Sequence, residues 1–214
     1  MTARTSAATF RIALVDVLEY LLAPQFAHLL QEEAPHIRFA IQSYDASSYQ
    51  TQLATGGIDI AIGLPEPTAP NIHSNKLAVL SPVGLVRKNH PLTRGRPSIR
   101  DFNQTPQLTT DSRVSRQGKP DAKDQSSADP IYTTAHFFAV PLLLVNSDLL
   151  LATSQVVANL LCAQYPLVTV PLPTRHPPLE PHIFWHQRTD NDPAQKWMRE
   201  KIIDAVRGLA NAPN

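Results

Sequence analysis

The sequence predicts an α/β protein with parallel strands, on three observations. Short apolar runs typical of buried strands alternate with stretches whose apolar residues recur at helical spacing. The 214 residues, 43% of them hydrophobic, can bury a core in one large domain or in two small subdomains. No stretch reaches the roughly 18 apolar residues of a membrane span, and no apolar signal core follows Met1. We therefore expect a soluble, cytoplasmic protein with no membrane partner.

Residues 10–63 carry the pattern β-α-β-α-β. Pro24 is unfavourable inside a helix, so we expect it in the first turns of the first helix, which Pro35 stops. Ser47 is placed to cap a short second helix that ends before the Gly56-Gly57 pair. The three strands of this part are expected at 10–15, 37–41 and 58–62, and the first helix begins near Leu18.

The second half of the chain continues the alternation after a long extended segment at 75–86. Residues 112–129 are polar and predict a long mobile loop, and the proline-rich residues 171–181 predict a rigid connector. The expected strands are 107–110, 131–134, 149–153, 167–172 and 182–186, and the expected helices are 98–102, 137–146, 155–165 and 193–209.

Composition and motifs argue against catalysis, metal binding and cofactors. The net charge is +1, and the eight basic residues within 81–120 are typical of a solvated face. Cys162 lies in an apolar run and is expected to be a buried structural thiol. His182 and His186 fall on a strand instead of a helix face, which disfavours a zinc pair. We find no phosphate-binding glycine loop and no nucleophile elbow, which favours a binding module over an enzyme.

Four segments together resemble the effector-binding domain of LysR-type transcriptional regulators. The opening FRIALVD at 10–16 and the run LATGGIDIAIG at 53–63 are similar to the first and third strands of that family. LVRKNHPL at 85–92 resembles its entry into a second subdomain. IFWHQRTDNDPAQKWMR at 183–199 is similar to the final strand and helix of the branch with nodulation and aromatic-catabolism regulators. The segments occur in the family's order and span nearly the whole chain.

The resemblance implies a periplasmic-binding-protein type 2 fold with two Rossmann-like subdomains, a ligand cleft between them and two chain crossovers. Subdomain I would comprise 1–80 and 182–214, and subdomain II 81–181. It further implies a homodimer formed through the helix near Leu21, with Phe26, Leu29 and Leu30 on its apolar stripe. The winged helix-turn-helix of the family is expected to be absent from this sequence, so DNA would be bound only through that missing N-terminal domain.

The expected effector is a small neutral or phenolic aromatic molecule, held where parallel strands end. Many family members carry Ser or Thr after the first strand, where this chain has Asp16. Unless it is paired or protonated, Asp16 would repel an anion, or it would instead cap the following helix. The expected ligand residues are Asp16, Val17, Tyr44, Gly63, Thr110, Asp111, His136, Phe137, Phe184 and His186.

Three alternatives accompany this hypothesis. A solute-binding protein of a transporter would share the fold, and so would an enzyme with a buried carboxylate pair. His136 could be a capping or surface histidine instead of a ligand contact, while Arg188 and Asp192 are expected to form local caps or ion pairs, and Trp185 and Trp197 to be core residues.

Overall fold

The computed structural model describes residues 8–110, 130–173 and 176–211. These residues form two compact units, the first from 8–79 with 180–211 and the second from the described part of 80–179. The predicted mobile loop at 112–129 lies outside the described residues. Each unit has its own five-stranded sheet, so the chain enters the second unit once and returns once.

Unit 1 is a mixed sheet in the order β2-β1-β3-β10-β4. Strand β1 pairs in parallel with β2 and β3, while β10 runs antiparallel between β3 and β4. The strands are β1 (Thr9–Leu14), β2 (Arg38–Ser43), β3 (Ile60–Gly63), β4 (Ile72–Lys76) and β10 (His182–His186), and the helices are α1 (Asp16–His28), α2 (Tyr49–Thr55) and α6 (Pro193–Asn211).

Asp59 fixes the pairing of β1 with β3, and it is the one charged residue of an otherwise apolar run. Its carboxylate accepts a hydrogen bond from the backbone N–H of Arg11 at 2.9 Å, and its own N–H donates to the Arg11 carbonyl at 2.8 Å. Asp59 is 7% exposed, so these bonds satisfy a nearly buried carboxylate. The Asp in the family-like run therefore has a structural role at the start of β3.

The expectation that Pro24 lies in the first turns of its helix is wrong. Helix α1 begins at Asp16, two residues before the first predicted helical position, so Pro24 is the ninth of its 13 residues. The apolar face formed by Leu18, Leu22 and Phe26 is buried and holds the helix on the sheet. This packing compensates for the backbone hydrogen bond that proline cannot donate. Helix α1 continues as a single π-helical turn over Leu29–Glu33, just before Pro35.

Both ends of α2 depend on polar contacts. Ser47, the expected cap, bonds instead to the Asp45 carboxylate, and the helix begins after Ser48 without a side-chain cap bond. At the other end Gly56 has a left-handed φ of 81°. The Arg188 guanidinium donates to the Leu53 carbonyl at 3.1 Å. Because the last carbonyls of a helix lack partners within it, Arg188 acts as a C-terminal cap, as expected of a local role.

Unit 2 has the sheet order β7-β6-β8-β5-β9. Strand β6 pairs in parallel with β7 and β8, while β5 runs antiparallel between β8 and β9. The strands are β5 (Pro82–Arg87), β6 (Gln107–Thr110), β7 (Tyr132–Thr134), β8 (Leu150–Ser154) and β9 (Leu167–Val170), and the helices are α3 (Ile99–Gln104), α4 (Val140–Val145) and α5 (Gln155–Gln164). The predicted extended segment 75–86 contains two strands of different sheets, the end of β4 and most of β5.

The turns of unit 2 are fixed by side-chain caps. His90 is buried, and its Nδ1 accepts from the Leu92 N–H at 3.1 Å, capping the 3-10 turn Pro91–Arg94. Ser98 and Asp101 form a reciprocal capping box on α3, as the sequence predicted for Ser98. Ser154 accepts from the Val157 N–H and begins α5.

Helix α6 is fastened to unit 1 by Asp192 and Arg199. The Asp192 carboxylate accepts from the N–H groups of Ala194 and Gln195, which confirms it as a local cap. Arg199 is buried, donates to the carbonyls of Thr189 and Asp190, and lies 4.8 Å from the Trp185 ring centroid. Burial lowers the pKa of Arg199. The two tryptophans, Trp185 and Trp197, are half-buried and not full core residues.

We predict that Gly56→Ala lowers the free energy of unfolding of unit 1 by about 1–2 kcal/mol, because a Cβ disfavours the left-handed conformation. The added Cβ would also lie 3.3 Å from Arg188 Nη2. Tryptophan fluorescence during urea unfolding measures this, since both tryptophans belong to unit 1. Gly208→Ala is the control: it lies within α6 with open space around it, and should raise stability by about 0.5–1 kcal/mol. Equal effects of the two variants would contradict the prediction.

Candidate functional site

Four of the predicted ligand residues lie at one edge of the unit 1 sheet. Strands β1, β2 and β3 are parallel, so their carboxyl ends meet at a common edge. That edge presents Asp16, Val17, Tyr44 and Gly63, each at or directly after a strand end. The sequence predicted these residues at strand ends, and the parallel pairing of the three strands brings them to one edge.

Asp16 is exposed at the first position of α1. Its Oδ1 accepts from the Val17 N–H at 2.9 Å, so the carboxylate interacts with the first turn of its own helix. This contact favours the capping role over a purely ligand-directed one, because a negative charge is stabilised at a helix N-terminus. Val17 is half-buried beside it.

Tyr44 packs directly on Gly63. A Cβ built on Gly63 would lie 2.5 Å from Tyr44 Cζ, so only glycine allows the ring to approach this closely. The Tyr44 ring centroid lies 5.2 Å from that of Tyr49, which in turn lies 5.1 Å from Phe184. The pKa of Tyr49 is raised, mainly by burial and next by the charge of Glu66. Tyr49 is 1% exposed and belongs to the core cluster of unit 1, so it supports the half-buried Tyr44 ring from inside.

His182 is a residue of this edge that the sequence analysis did not choose as a ligand contact. Strand β10 is antiparallel, so its first residue, His182, pairs with Gly63 at the carboxyl end of β3. Its ring stacks on Phe184 at 6.0 Å, and its Nδ1 is buried without a hydrogen-bond partner among the described residues. Burial lowers the pKa of His182. Placing His182 at this edge requires the direction of β10, which the pattern of strand residues in the sequence does not give.

Two other predicted residues lie away from this edge. Phe184 is 1% exposed, in the core cluster of unit 1. His186 ends β10 at the opposite edge, where Nε2 lies 2.8 Å from Asn71 Nδ2 and Nδ1 accepts from the Arg188 N–H. His186 therefore caps a local turn, in the same way as His90 in unit 2. The structure does not bring Phe184 and His186 to the surface formed by the other predicted residues of unit 1.

The second group of predicted residues lies at the carboxyl edge of the unit 2 sheet. Thr110 ends β6 and pairs with Thr134 of β7, whose Oγ1 accepts from the His136 N–H at 3.0 Å. His136 is exposed and precedes the 3-10 turn Phe137–Ala139. Its side chain makes no cap bond to that turn, which removes one alternative role. Asp111, predicted next to Thr110, lies outside the described residues.

The aromatic neighbour of His136 on the surface is Phe138 and not Phe137. Phe137 is 4% exposed and belongs to the core, whereas Phe138 is 77% exposed, with its ring centroid 5.9 Å from that of His136. A strand-to-helix junction with two adjacent phenylalanines does not reveal which ring faces inward. The ligand contact expected for Phe137 therefore does not agree with the burial of its side chain.

Within the described ranges, no cluster of His, Cys, Asp and Glu side chains could hold a metal ion. No helix of that part of the chain has the length and apolar character needed to cross a membrane. Cys162 is half-buried, and burial raises the pKa of its thiol. These edges thus offer hydroxyls, imidazoles and aromatic rings, which are binding groups for an organic molecule.

A family model decides between the alternatives. The model described as the LysR substrate binding domain matches residues 3–207. The chain belongs to the LysR substrate-binding domain family. The family resemblance predicted from the four segments is therefore confirmed, as is the α/β class with two subdomains.

The curated relatives are transcription regulators. The chain is 24% identical over 202 residues to the HTH-type transcriptional activator NagR of a Ralstonia species, covering 93% of this chain and 67% of NagR. It is 28% identical to the HTH-type transcriptional regulator SyrM 1 of Sinorhizobium fredii (92% and 59% covered) and 26% identical to NahR of Pseudomonas putida (94% and 68% covered). The chain thus spans about three fifths to two thirds of these proteins.

Solved structures show the same fold. The regulatory domain of MexT, a transcriptional activator in Pseudomonas aeruginosa, superposes with a TM-score of 0.79 at 22% identity, covering 92% of this chain and 98% of that chain. The regulatory domain of MetR from N. meningitidis gives 0.73 at 16% identity, with 96% of each chain covered. The LysR-type domain is an effector-sensing domain of transcription regulators and not an enzyme, and the solute-binding alternative is not favoured.

We predict that Gly63→Ala lowers the free energy of unfolding of unit 1 by about 1–3 kcal/mol, because the Tyr44 ring must leave its position. Urea unfolding followed by tryptophan fluorescence provides the measurement. In a Tyr44→Ala background the same substitution should cost less than half as much, since the clashing ring is gone. Simple additivity of the two substitutions would show that Tyr44 does not determine the need for glycine at 63.

Proposed function

We propose that this chain senses a small aromatic effector for a DNA-binding regulator of the LysR type. The match of residues 3–207 to the LysR substrate-binding family carries the proposal. Its curated relatives are HTH-type regulators that extend beyond the matched region. In the proposed whole protein, the N-terminal helix-turn-helix binds DNA in the cytoplasm, and this chain supplies the chemical signal.

The two compact units are proposed to be the regulatory subdomains, I from 1–80 with 182–214 and II from 81–181. In each subdomain, the proposed effector contacts lie at the carboxyl edge of its own sheet. In subdomain I they are Asp16, Val17, Tyr44 and Gly63, with His182 added on the evidence of the strand register. In subdomain II they are Thr110, Asp111 and His136, with Phe138 replacing the buried Phe137 as the stacking ring. Phe184 supports this edge from inside through Tyr49, whereas His186 lies at the opposite edge of the sheet and is not among the proposed contacts.

Three features support an aromatic ligand that is neutral or phenolic. Phe138 offers an exposed ring beside His136, and Tyr44 provides a second ring fixed on Gly63. Asp16 holds a negative charge at the subdomain I edge, which disfavours a bound anion. The imidazole of His136 donates to or accepts from a phenolic hydroxyl without requiring a charge on the ligand.

Native mass spectrometry of freshly purified protein should recover the effector, and calorimetry with catechol and benzoate tests its class. We expect catechol to bind more tightly than benzoate because of Asp16. His136→Ala should weaken catechol binding about threefold to tenfold, which is the loss of one hydrogen bond.

The matched control is His36→Ala, an exposed histidine in the turn before β2, at the other end of the strands. It should leave the affinity for catechol unchanged. If His136→Ala and Asp16→Ala both bind catechol like the native chain, the proposed site is wrong. Tighter binding of benzoate would instead reject the neutral ligand while retaining the family function.

We also propose a homodimer in which subdomain I of one copy packs on subdomain II of the other. LysR regulators function as oligomers. On subdomain I, Phe26 and Leu29 are buried in the core, which leaves Tyr20 and Leu30 as the exposed apolar residues of this region. On subdomain II, Ile131 and Tyr132 are exposed apolar residues at the edge strand β7. Uncovered apolar edges of this kind favour association.

Ile131→Glu should shift the protein toward monomer, because it places a charge within the apolar edge that a second copy would cover. Sedimentation velocity over a concentration series measures the shift. Ile99→Glu is the control: Ile99 is exposed on α3, outside the proposed interface, and the substitution should not change the dissociation constant. A native chain that stays monomeric at the highest concentration would contradict the homodimer.

A further inference from the structure

A cavity of about 480 Å³ opens at the amino-terminal edge of the unit 2 sheet. Its walls are the turn after β5, helix α3 with the turn into β6, and the turn before β8. Strand register places this edge opposite Thr110 and Thr134, which end β6 and β7. The cavity is therefore formed by one unit alone and is separate from the proposed effector contacts.

The two carboxylates in its wall are already engaged. Asp148 accepts from Arg87 through both Nε, at 2.9 Å, and Nη2, at 2.6 Å. Asp101 accepts from the N–H and hydroxyl of Ser98 in the α3 capping box. In these contacts, neither carboxylate interacts with Arg94 or Arg96, the other cationic residues of the wall.

Arg94 and Arg96 remain available on the same wall. Both line the cavity and are exposed, and within the described ranges neither makes a hydrogen bond or an ion pair. Gly95 separates them, and a Cβ built there would meet no atom within 4 Å. The backbone between the two arginines is therefore open to a ligand.

The turn that carries these arginines is held rigidly. The His90 ring is buried between the Leu92 N–H, which donates to Nδ1, and the Asp148 carbonyl, 3.2 Å from Nε2. Pro91 begins the 3-10 turn, and the Ser98 capping box fixes its far side. A rigid frame reduces the entropy lost when a ligand orders the arginines.

We propose that this cavity binds a compact multivalent anion, either a polycarboxylate or a phosphate compound, as a second chemical input. Guanidinium groups form paired, charge-assisted hydrogen bonds with carboxylate and phosphate oxygens. The volume falls in the range typical of small-molecule sites. A ligand here would stabilise the turn after β5, and it would do so whether or not an effector is bound at the carboxyl edge.

Calorimetry in 0.1 M NaCl with citrate and with pyrophosphate tests the proposal and separates the two ligand classes. We expect saturable binding of at least one anion, with a dissociation constant in roughly the submillimolar range. The double variant Arg94→Gln/Arg96→Gln should weaken it at least tenfold. Arg94→Lys/Arg96→Lys keeps the charges but not the planar guanidinium groups, and should give an intermediate loss.

Arg100→Gln is the matched control, since Arg100 is an exposed arginine of α3 that does not line the cavity. It should change the affinity less than twofold, and His136→Ala should not change it at all. Thermal melts without anion verify that each variant folds. An equal loss in Arg100→Gln would show general charge attraction, and a loss in His136→Ala would place the anion at the effector edge. Either result, or no saturable binding of either anion up to about 5 mM, would overturn the proposal.

Discussion

The antiparallel strand β10 between β3 and β4 is the constraint on which unit 1 depends. Its middle residue, Phe184, fills the core cluster with Tyr49 and Leu53. Its first residue, His182, comes to the carboxyl edge of the parallel strands. Beyond its last residue, His186, Arg188 reaches the end of α2. One strand that returns from the rest of the chain thus completes the core, the carboxyl edge of the sheet and a helix cap.

Many of the residues by which the family can be recognised have structural roles. Asp59 joins β1 to β3, and His90 caps the turn that follows β5. Arg188 caps α2, and Asp192 caps α6. Each satisfies a backbone group that secondary structure leaves without a partner, and such groups recur wherever the fold recurs. These residues therefore identify the fold, and the ligand that a given member binds must be argued from other side chains.

The sequence predicted the elements better than the orientation of individual side chains. The sequence merged β4 and β5 into one extended segment, but it located the other strands within two residues because most of them are apolar runs. Strand ends predicted Asp16, Tyr44 and Gly63 at one edge. The sequence could not show which of Phe137 and Phe138 faces the core, because adjacent residues of a short turn have no periodic pattern. It also missed His182, since pairing partners and strand direction are set by tertiary packing. Pro24 shows the same limit: burial of one helix face outweighed a local preference.

The backbone groups of Leu80 and Leu179 hydrogen-bond to each other in both directions, at 2.8 and 2.9 Å. The two ends of unit 2 are therefore neighbours, although they are far apart along the chain. An insertion with adjacent ends can be added to or removed from a host fold without separating the strands on either side. The segment Leu80–Leu179 thus has the geometry of an exchangeable module. A short linker from Val79 to Glu180 would close unit 1, so chimaeras could exchange this half of the sensor between relatives.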